Sequence, residues 1–201
     1  MQKELDNLYL DDYEKYKKLG DLTANINKSL ANNPNVKIQQ KMKDLLDDVN
    51  AKMADGQQIS EGEATILEKR LMLLQAEDQI MAARNAKSAV RMTRDNEGNF
   101  SYTYTADADK IQDAQQNYAD KFYDLLDYER QYADDTQAQM LQSWQDFLSK
   151  RDDILNDDML SDAERNKALE KLKGDYAQIV DYYTGELQMV TDEMSRLKTE
   201  D

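Results

Sequence analysis

The chain has 201 residues, 33% of them charged, with 41 acids against 26 bases for a formal charge of −15, and it contains one Pro, six Gly, no Cys and no His. Lacking Cys and His, it has no disulfide, no thiolate or imidazole metal site, no cysteine nucleophile, no serine triad of the usual kind and no neutral-pH proton shuttle. Its acidity argues against phosphate backbones and anionic lipid surfaces, both of which demand clustered Lys and Arg.

No run approaches the ~20 apolar residues of a membrane span, and Met1-Gln2-Lys3-Glu4-Leu5-Asp6 is not a signal peptide. A soluble chain is expected, without membrane contact and without direct nucleic-acid readout. High charge with little Gly and Pro is the profile of long helices or coiled coil. With three Phe and one Trp, the aromatic core material is mostly the twelve Tyr. Buried Tyr must satisfy its hydroxyl, so a thin, extended core is expected.

Leu5, Leu8, Tyr9, Tyr13, Tyr16, Leu19, Leu22, Ile26 and Leu30 recur every three or four residues and predict a first helix that breaks at Asn32-Asn33-Pro34-Asn35. A shorter helix with Ile38, Met42, Leu45, Leu46, Val49 and Met53 on one face ends at Asp55-Gly56. Ser60 and Glu63 form a capping box behind Ile59, opening a helix with the stripe Leu67, Leu71, Leu74, Ile80 and Met81.

From Ala89 to Asp107 the rhythm changes from helical to alternating. Val90, Met92 and Arg94 alternate on one side of Asp95-Asn96-Glu97-Gly98, and Phe100, Tyr102 and Tyr104 on the other, which predicts a β-hairpin with a short Gly-containing turn. Lys87, Arg91 and Arg94 make it locally basic. Phe100, Tyr102, Tyr104, Arg91 and Arg94 are the candidate docking residues, because cross-strand aromatic pairs stabilise hairpins while a lone hairpin is marginal and must lean on helices or join a neighbour.

Asp107 and Asp109 suit a helix start. No Gly or Pro interrupts the next fifty or so residues, and Ile111, Tyr118, Phe122, Leu125, Leu126, Tyr132, Met140, Trp144, Phe147, Leu148, Ile154 and Leu155 make one seam, with polar Glu129 and Thr136 near its middle. Those two either control register at a cost in stability or face solvent at a stutter. A second capping box, Ser161 with Glu164, opens a returning helix with Leu169, Leu172, Tyr176, Ile179, Tyr183, Leu187, Val190, Met194 and Leu197, able to pair antiparallel with the helix before it. The helix-packing seam is therefore assigned to Phe122, Leu125, Tyr132, Trp144, Leu172, Tyr176, Tyr183 and Leu187. Gly174 and Gly185 fall beside it, either as tolerated irregularities or as points of close approach by another chain.

The expected fold is mainly α: elongated antiparallel helical hairpins or coiled coil with one inserted β-hairpin at about 89–106. The organisation reads as N-terminal amphipathic helices over 1–58, a helix leading to the hairpin over 59–88, the β-hairpin over 89–106 and a long antiparallel helical hairpin over 107–201. The acidic run Asp152, Asp153, Asn156, Asp157, Asp158 and Asp162 lacks the ordered calcium-loop pattern and reads as a solvated turn. No catalytic, cofactor-binding or metal-binding residue is assigned, no cofactor is expected, and the protein is not expected to be an enzyme.

The segments Asn85-Ala86-Lys87-Ser88-Ala89-Val90-Arg91, Arg94-Asp95-Asn96-Glu97-Gly98-Asn99-Phe100, Tyr102-Thr103-Tyr104-Thr105-Ala106-Asp107 and Gln116-Asn117-Tyr118-Ala119-Asp120-Lys121 resemble a pattern of bacteriophage tail tape measure and related virion-internal helical structural proteins. The resemblance spans roughly the last two-thirds of the chain. It implies a structural protein located in the virion and assembled in the host cytoplasm, packing as an extended helical rod in the tail lumen or virion interior during assembly and genome delivery. Its partners would be itself, as a homo-oligomer, and other virion or tail proteins. At 201 residues the chain is short for a long tail and lacks the hydrophobic membrane-active segment of many such proteins, so a portion of a longer polypeptide or a short internal protein is expected. The alternative is a coiled-coil adaptor or scaffold whose β-hairpin docks a protein partner.

Overall fold

Asp11 begins the first described helix, α1 (Asp12–Asn32), by accepting a hydrogen bond from the Glu14 N–H. The computed structural model describes residues 8–54 and 56–200; Leu5 of the first expected stripe and Asp55 of the second break lie outside them. α1 is followed by α2 (Val36–Met53), α3 (Glu61–Asn85), the strands β1 (Ala89–Arg94) and β2 (Phe100–Thr105), α4 (Ala108–Leu155) and α5 (Asp162–Glu200). The fold is mainly α with one inserted antiparallel hairpin, as the sequence predicts.

Each of these helix starts has a local cause. Asn35 caps α2 by accepting from the Lys37 and Ile38 N–H groups, with Pro34 just outside. Gly56, at φ +79°, supplies the left-handed residue after α2. Ser60 Oγ accepts from the Glu63 N–H, and Asp107 from the Asp109 N–H. Before α5 the box closes both ways: the Glu164 N–H donates to Ser161 Oγ and the Ser161 N–H to Glu164 Oε2. The Ser161 hydroxyl also donates to Glu164 Oε2 at 2.6 Å, and this bond foremost, with that from the Ser161 N–H, holds the Glu164 carboxyl below its ordinary pKa.

The chain divides into two compact units. One comprises Asp11–Ile59 and Ala64–Leu125. Its core contains Leu19, Leu22 and Ile26 of α1, Ile38, Met42, Leu45 and Val49 of α2, and Ile66, Leu67, Leu71 and Leu74 of α3, all buried. Lys41 pairs with Glu77 at 2.9 Å, and Arg70 with Asp48 at 2.9 Å, tying α2 to α3. The start of α4 is held to α3 by Lys69 with Asp124 and by Asn117 with Gln79. Leu125 is fully buried.

The expected stripe of α1 needs correction at its start. Leu8 and Tyr9 precede the helix, and Tyr13 and Tyr16 are exposed, whereas Lys15 is buried. The buried face runs Lys15, Leu19, Leu22 and Ile26, and Lys15 Nζ reaches the Ala54 and Gln57 carbonyls. Its aliphatic stem lies on the core side while its ammonium serves backbone acceptors near the end of α2.

The other unit contains the described residues of Met1–Leu10 and Leu126–Asp201 together with Ser60–Glu63. Here α4 and α5 pair antiparallel: Tyr132 meets Glu186, while Trp144 and Phe147, further along α4, meet Tyr176, further back on α5. Ile179 and Tyr183 form a buried cluster with Leu8, Met140 and Tyr182 packed against it. The turn of acidic residues is organised by Arg165, which donates to the Asp157 and Leu160 carbonyls and pairs with Asp162. Added β-carbons at Gly174 and Gly185 would meet nothing within 4 Å in this chain. Gly174→Ala and Gly185→Ala should therefore each raise stability by up to ~1 kcal/mol in thermal melts. A loss instead would reveal close approach by another chain.

Candidate functional site

The hairpin is the first candidate. Pairing runs Ala89 with Thr105, Val90 with Tyr104, Arg91 with Thr103, Met92 with Tyr102, Thr93 with Ser101 and Arg94 with Phe100. Directly opposed residues share a face, so one face is Val90, Met92, Arg94, Phe100, Tyr102 and Tyr104. The other is Ala89, Arg91, Thr93, Ser101, Thr103 and Thr105. Arg91 thus belongs to the polar face and is separated from the aromatics with which the sequence groups it. Arg94 stays with them, its guanidinium 5.5 Å from the Phe100 ring centroid.

The turn is locally determined. The Gly98 N–H donates to the Asp95 carbonyl and the Asp95 N–H to the Asn99 carbonyl, with Gly98 at φ +91°, a type I turn closed by a left-handed residue. Asp95 Oδ1 accepts from the Glu97 and Asn99 N–H groups. These bonds, that from Asn99 foremost, hold the Asp95 carboxyl below its ordinary pKa of 3.8. Since the folded pKa is depressed, the stabilisation is present above the unfolded value and is lost as pH falls through the folded one. Acidification below pH ~4 should loosen the hairpin, read as faster amide exchange at Asn99 and Phe100, and Asp95→Asn should flatten this dependence.

The apolar face is open. Val90, Met92, Phe100, Tyr102 and Tyr104 are each more than half exposed. Isolated exposed apolar residues are ordinary, whereas five contiguous ones on one sheet face form a patch of the kind that marks interaction sites.

The second candidate is a polar cluster in the unit built on Leu126–Asp201. Ser60 Oγ donates to Glu186 Oε2 at 2.9 Å, and Tyr132 Oη donates to the same oxygen at 2.5 Å. Ser60 and Glu186 are buried. Burial, then the hydrogen bond to Glu186, pushes the Tyr132 phenol far above its ordinary pKa. Burial and the Glu186 charge likewise raise Tyr182, and burial, Glu186 and Glu63 raise Tyr9. These phenols stay protonated, Tyr132 and Tyr182 as hydrogen-bond donors and Tyr9 as a packing surface. Tyr9 stacks edge-on against Tyr182, whose hydroxyl donates to the Leu8 carbonyl. The arrangement clamps residues before α1, the start of α3, α4 and α5 together, and offers no activated nucleophile.

Among the expected seam residues, Tyr132, Tyr176 and Tyr183 take part in this unit's packing and Leu172 and Leu187 are buried and half-buried in it, whereas Trp144 is exposed, its ring meeting only Phe147 and Tyr176 among the described aromatic rings. Phe122 and Leu125 belong to the other unit, with Phe122 stacked on Tyr118. Glu129 and Thr136 are buried, which excludes a solvent-facing stutter. Thr136 satisfies its hydroxyl on the Tyr132 carbonyl. Glu186 escapes the apolar pattern, although its position between Tyr183 and Val190 places it on the stripe. A cleft of about 180 Å³ lined by Leu8, Phe147, Lys150, Tyr176, Ile179 and Tyr183 is smaller than ordinary ligand pockets. Among the described residues no set of three acidic side chains is gathered for a metal ion, and no helix is long and apolar enough to cross a membrane.

No family model, curated protein or solved structure matches this chain.

Proposed function

We propose that this chain is a structural subunit of a bacteriophage virion, tape-measure-like in kind, that packs its helices in the tail lumen or virion interior and joins its surroundings through the β-hairpin. The carrying observation is the hairpin's open face of Val90, Met92, Phe100, Tyr102 and Tyr104 on an otherwise helical and acidic chain. A two-stranded hairpin is marginal alone, so a face this apolar is explained by a surface that covers it. The hairpin motif is also where the resemblance to virion-internal proteins is concentrated. We ascribe no catalytic step to the chain.

The test is localisation. Antibody-labelled electron microscopy and mass spectrometry of purified particles should find the wild-type chain in the virion, whereas Met92→Lys/Tyr102→Lys should remain outside it with helical content unchanged. A chain that stays in the host extract while complete particles form overturns the virion role and favours the adaptor reading.

A further inference from the structure

We infer that the partner of the hairpin's apolar face is the same face of a second copy of this chain, stacked antiparallel about a two-fold axis. The inference rests on reading the hairpin as the docking element and commits its occupant.

Charge selects the partner. Ala89–Thr105 carries Arg91 and Arg94 against Asp95 and Glu97, so it is formally neutral and the whole of the chain's −15 lies elsewhere. Two copies meeting through their helices bring acidic surfaces together, and like-charge juxtaposition opposes that association. Two copies meeting at the hairpin do not.

The order of residues along the face selects the geometry. Three cross-strand rows run from base to turn: Val90 with Tyr104, Met92 with Tyr102, Arg94 with Phe100. A two-fold axis across the middle row, lying between the sheets, places Met92 on Met92, Tyr102 on Tyr102 and Phe100 on Tyr104 of the second copy. Each Arg94 then lies over Val90 beside a Tyr104 ring, within the reach of a cation–π contact. The two Arg94 residues are separated by four residues of strand, roughly 13 Å along its axis, which exceeds the ~8 Å screening length at physiological ionic strength. Stacking with the turns at the same end would instead bring the two guanidinium groups side by side. The contact is isologous, so it closes at two copies.

Size sets the strength. Five apolar side chains more than half exposed amount to on the order of 600 Å² per copy. The total falls at the low end for specific interfaces, where association is weak, in the micromolar range.

Sedimentation velocity across a concentration series should show the wild-type chain in monomer–dimer exchange. Met92→Lys/Tyr102→Lys should weaken dimerisation by at least about tenfold, and Thr93→Lys/Ser101→Lys, on the opposite face, should leave it unchanged; circular dichroism checks that both stay helical. Because the chain has no Cys, Asn96→Cys gives a single spin-label site at the turn. Antiparallel stacking places the two turns roughly 26 Å apart along the strands, against the ~10 Å sheet spacing for turns at the same end. A wild-type chain that stays monomeric into the high micromolar range overturns the inference. So does a dimer that survives the double lysine change, or turns at the short distance. A monomeric wild type that is still carried into particles only with its hairpin face intact overturns the second-copy partner while leaving the docking role standing.

Discussion

Gly62→Ala is expected to destabilise the protein by about 3 kcal/mol, although Ala for Gly in a helix ordinarily gains up to ~1. A β-carbon on Gly62 would lie 2.1 Å from Tyr132 Cε2 and 2.2 Å from Cζ. The ring has little freedom to withdraw, because its hydroxyl donates to Glu186 and lies 3.2 Å from Ser60 Oγ. Moving it breaks a charge-assisted hydrogen bond and leaves buried Glu186 short of a donor, a cost of ~1–3 kcal/mol before any loss of packing. A shift of roughly 6–12 °C in the melting temperature follows for a chain of this size. The cause is separable by a double-mutant cycle. With Tyr132→Ala in the background, the Gly62 change should cost far less, because the overlap has gone. A neutral Gly62→Ala in the wild-type background would mean that α3 begins with room to spare.

The second large effect is placed in the other unit. Leu45→Ala should cost about 3 kcal/mol, whereas Leu46→Ala, one residue on, should cost clearly less. Leu45 is fully buried between neighbours on α2's core face, and Leu46 is only half-buried. Chemical denaturation gives the magnitudes. Hydrogen exchange should show the Leu45 loss in α1 and α2, whose buried faces meet there. Equal costs at the two leucines would contradict the orientation of α2.

Most of the local architecture was legible because it is written in short-range chemistry. Ser60, Asp107 and Ser161 announce helix starts by local side-chain geometry, and the alternation around Asp95–Gly98 announces the hairpin, whereas Asn35 reads only as part of a break although it caps α2. Phe100, Tyr102, Tyr104 and Arg94 of the candidate docking face were legible for the same reason, but Val90 and Met92, which complete it, were not assigned to it and Arg91 was. Cross-strand register, which the turn geometry fixes, sends Arg91 to the polar face opposite Thr103. The polar cluster was hidden because its parts are distant in sequence: Ser60 bonds Glu186 across 126 positions, and Gly62 is required by a ring 70 residues later.

The sequence alone specifies elements set by periodicity and by hydrogen bonds between near neighbours: among the described residues, five helices, the helix starts at Ser60, Asp107 and Ser161, and a two-faced hairpin. Tertiary structure alone decided which polar residues go inside. Lys15 is buried because carbonyls near the end of α2 lie within its reach, Glu186 because two hydroxyls from other elements satisfy it, and Tyr13 stays out because it lies off the face that buries Leu19, Leu22 and Ile26. Burying a charge is costly unless partners are supplied, and whether distant segments supply them is settled only when the helices pack.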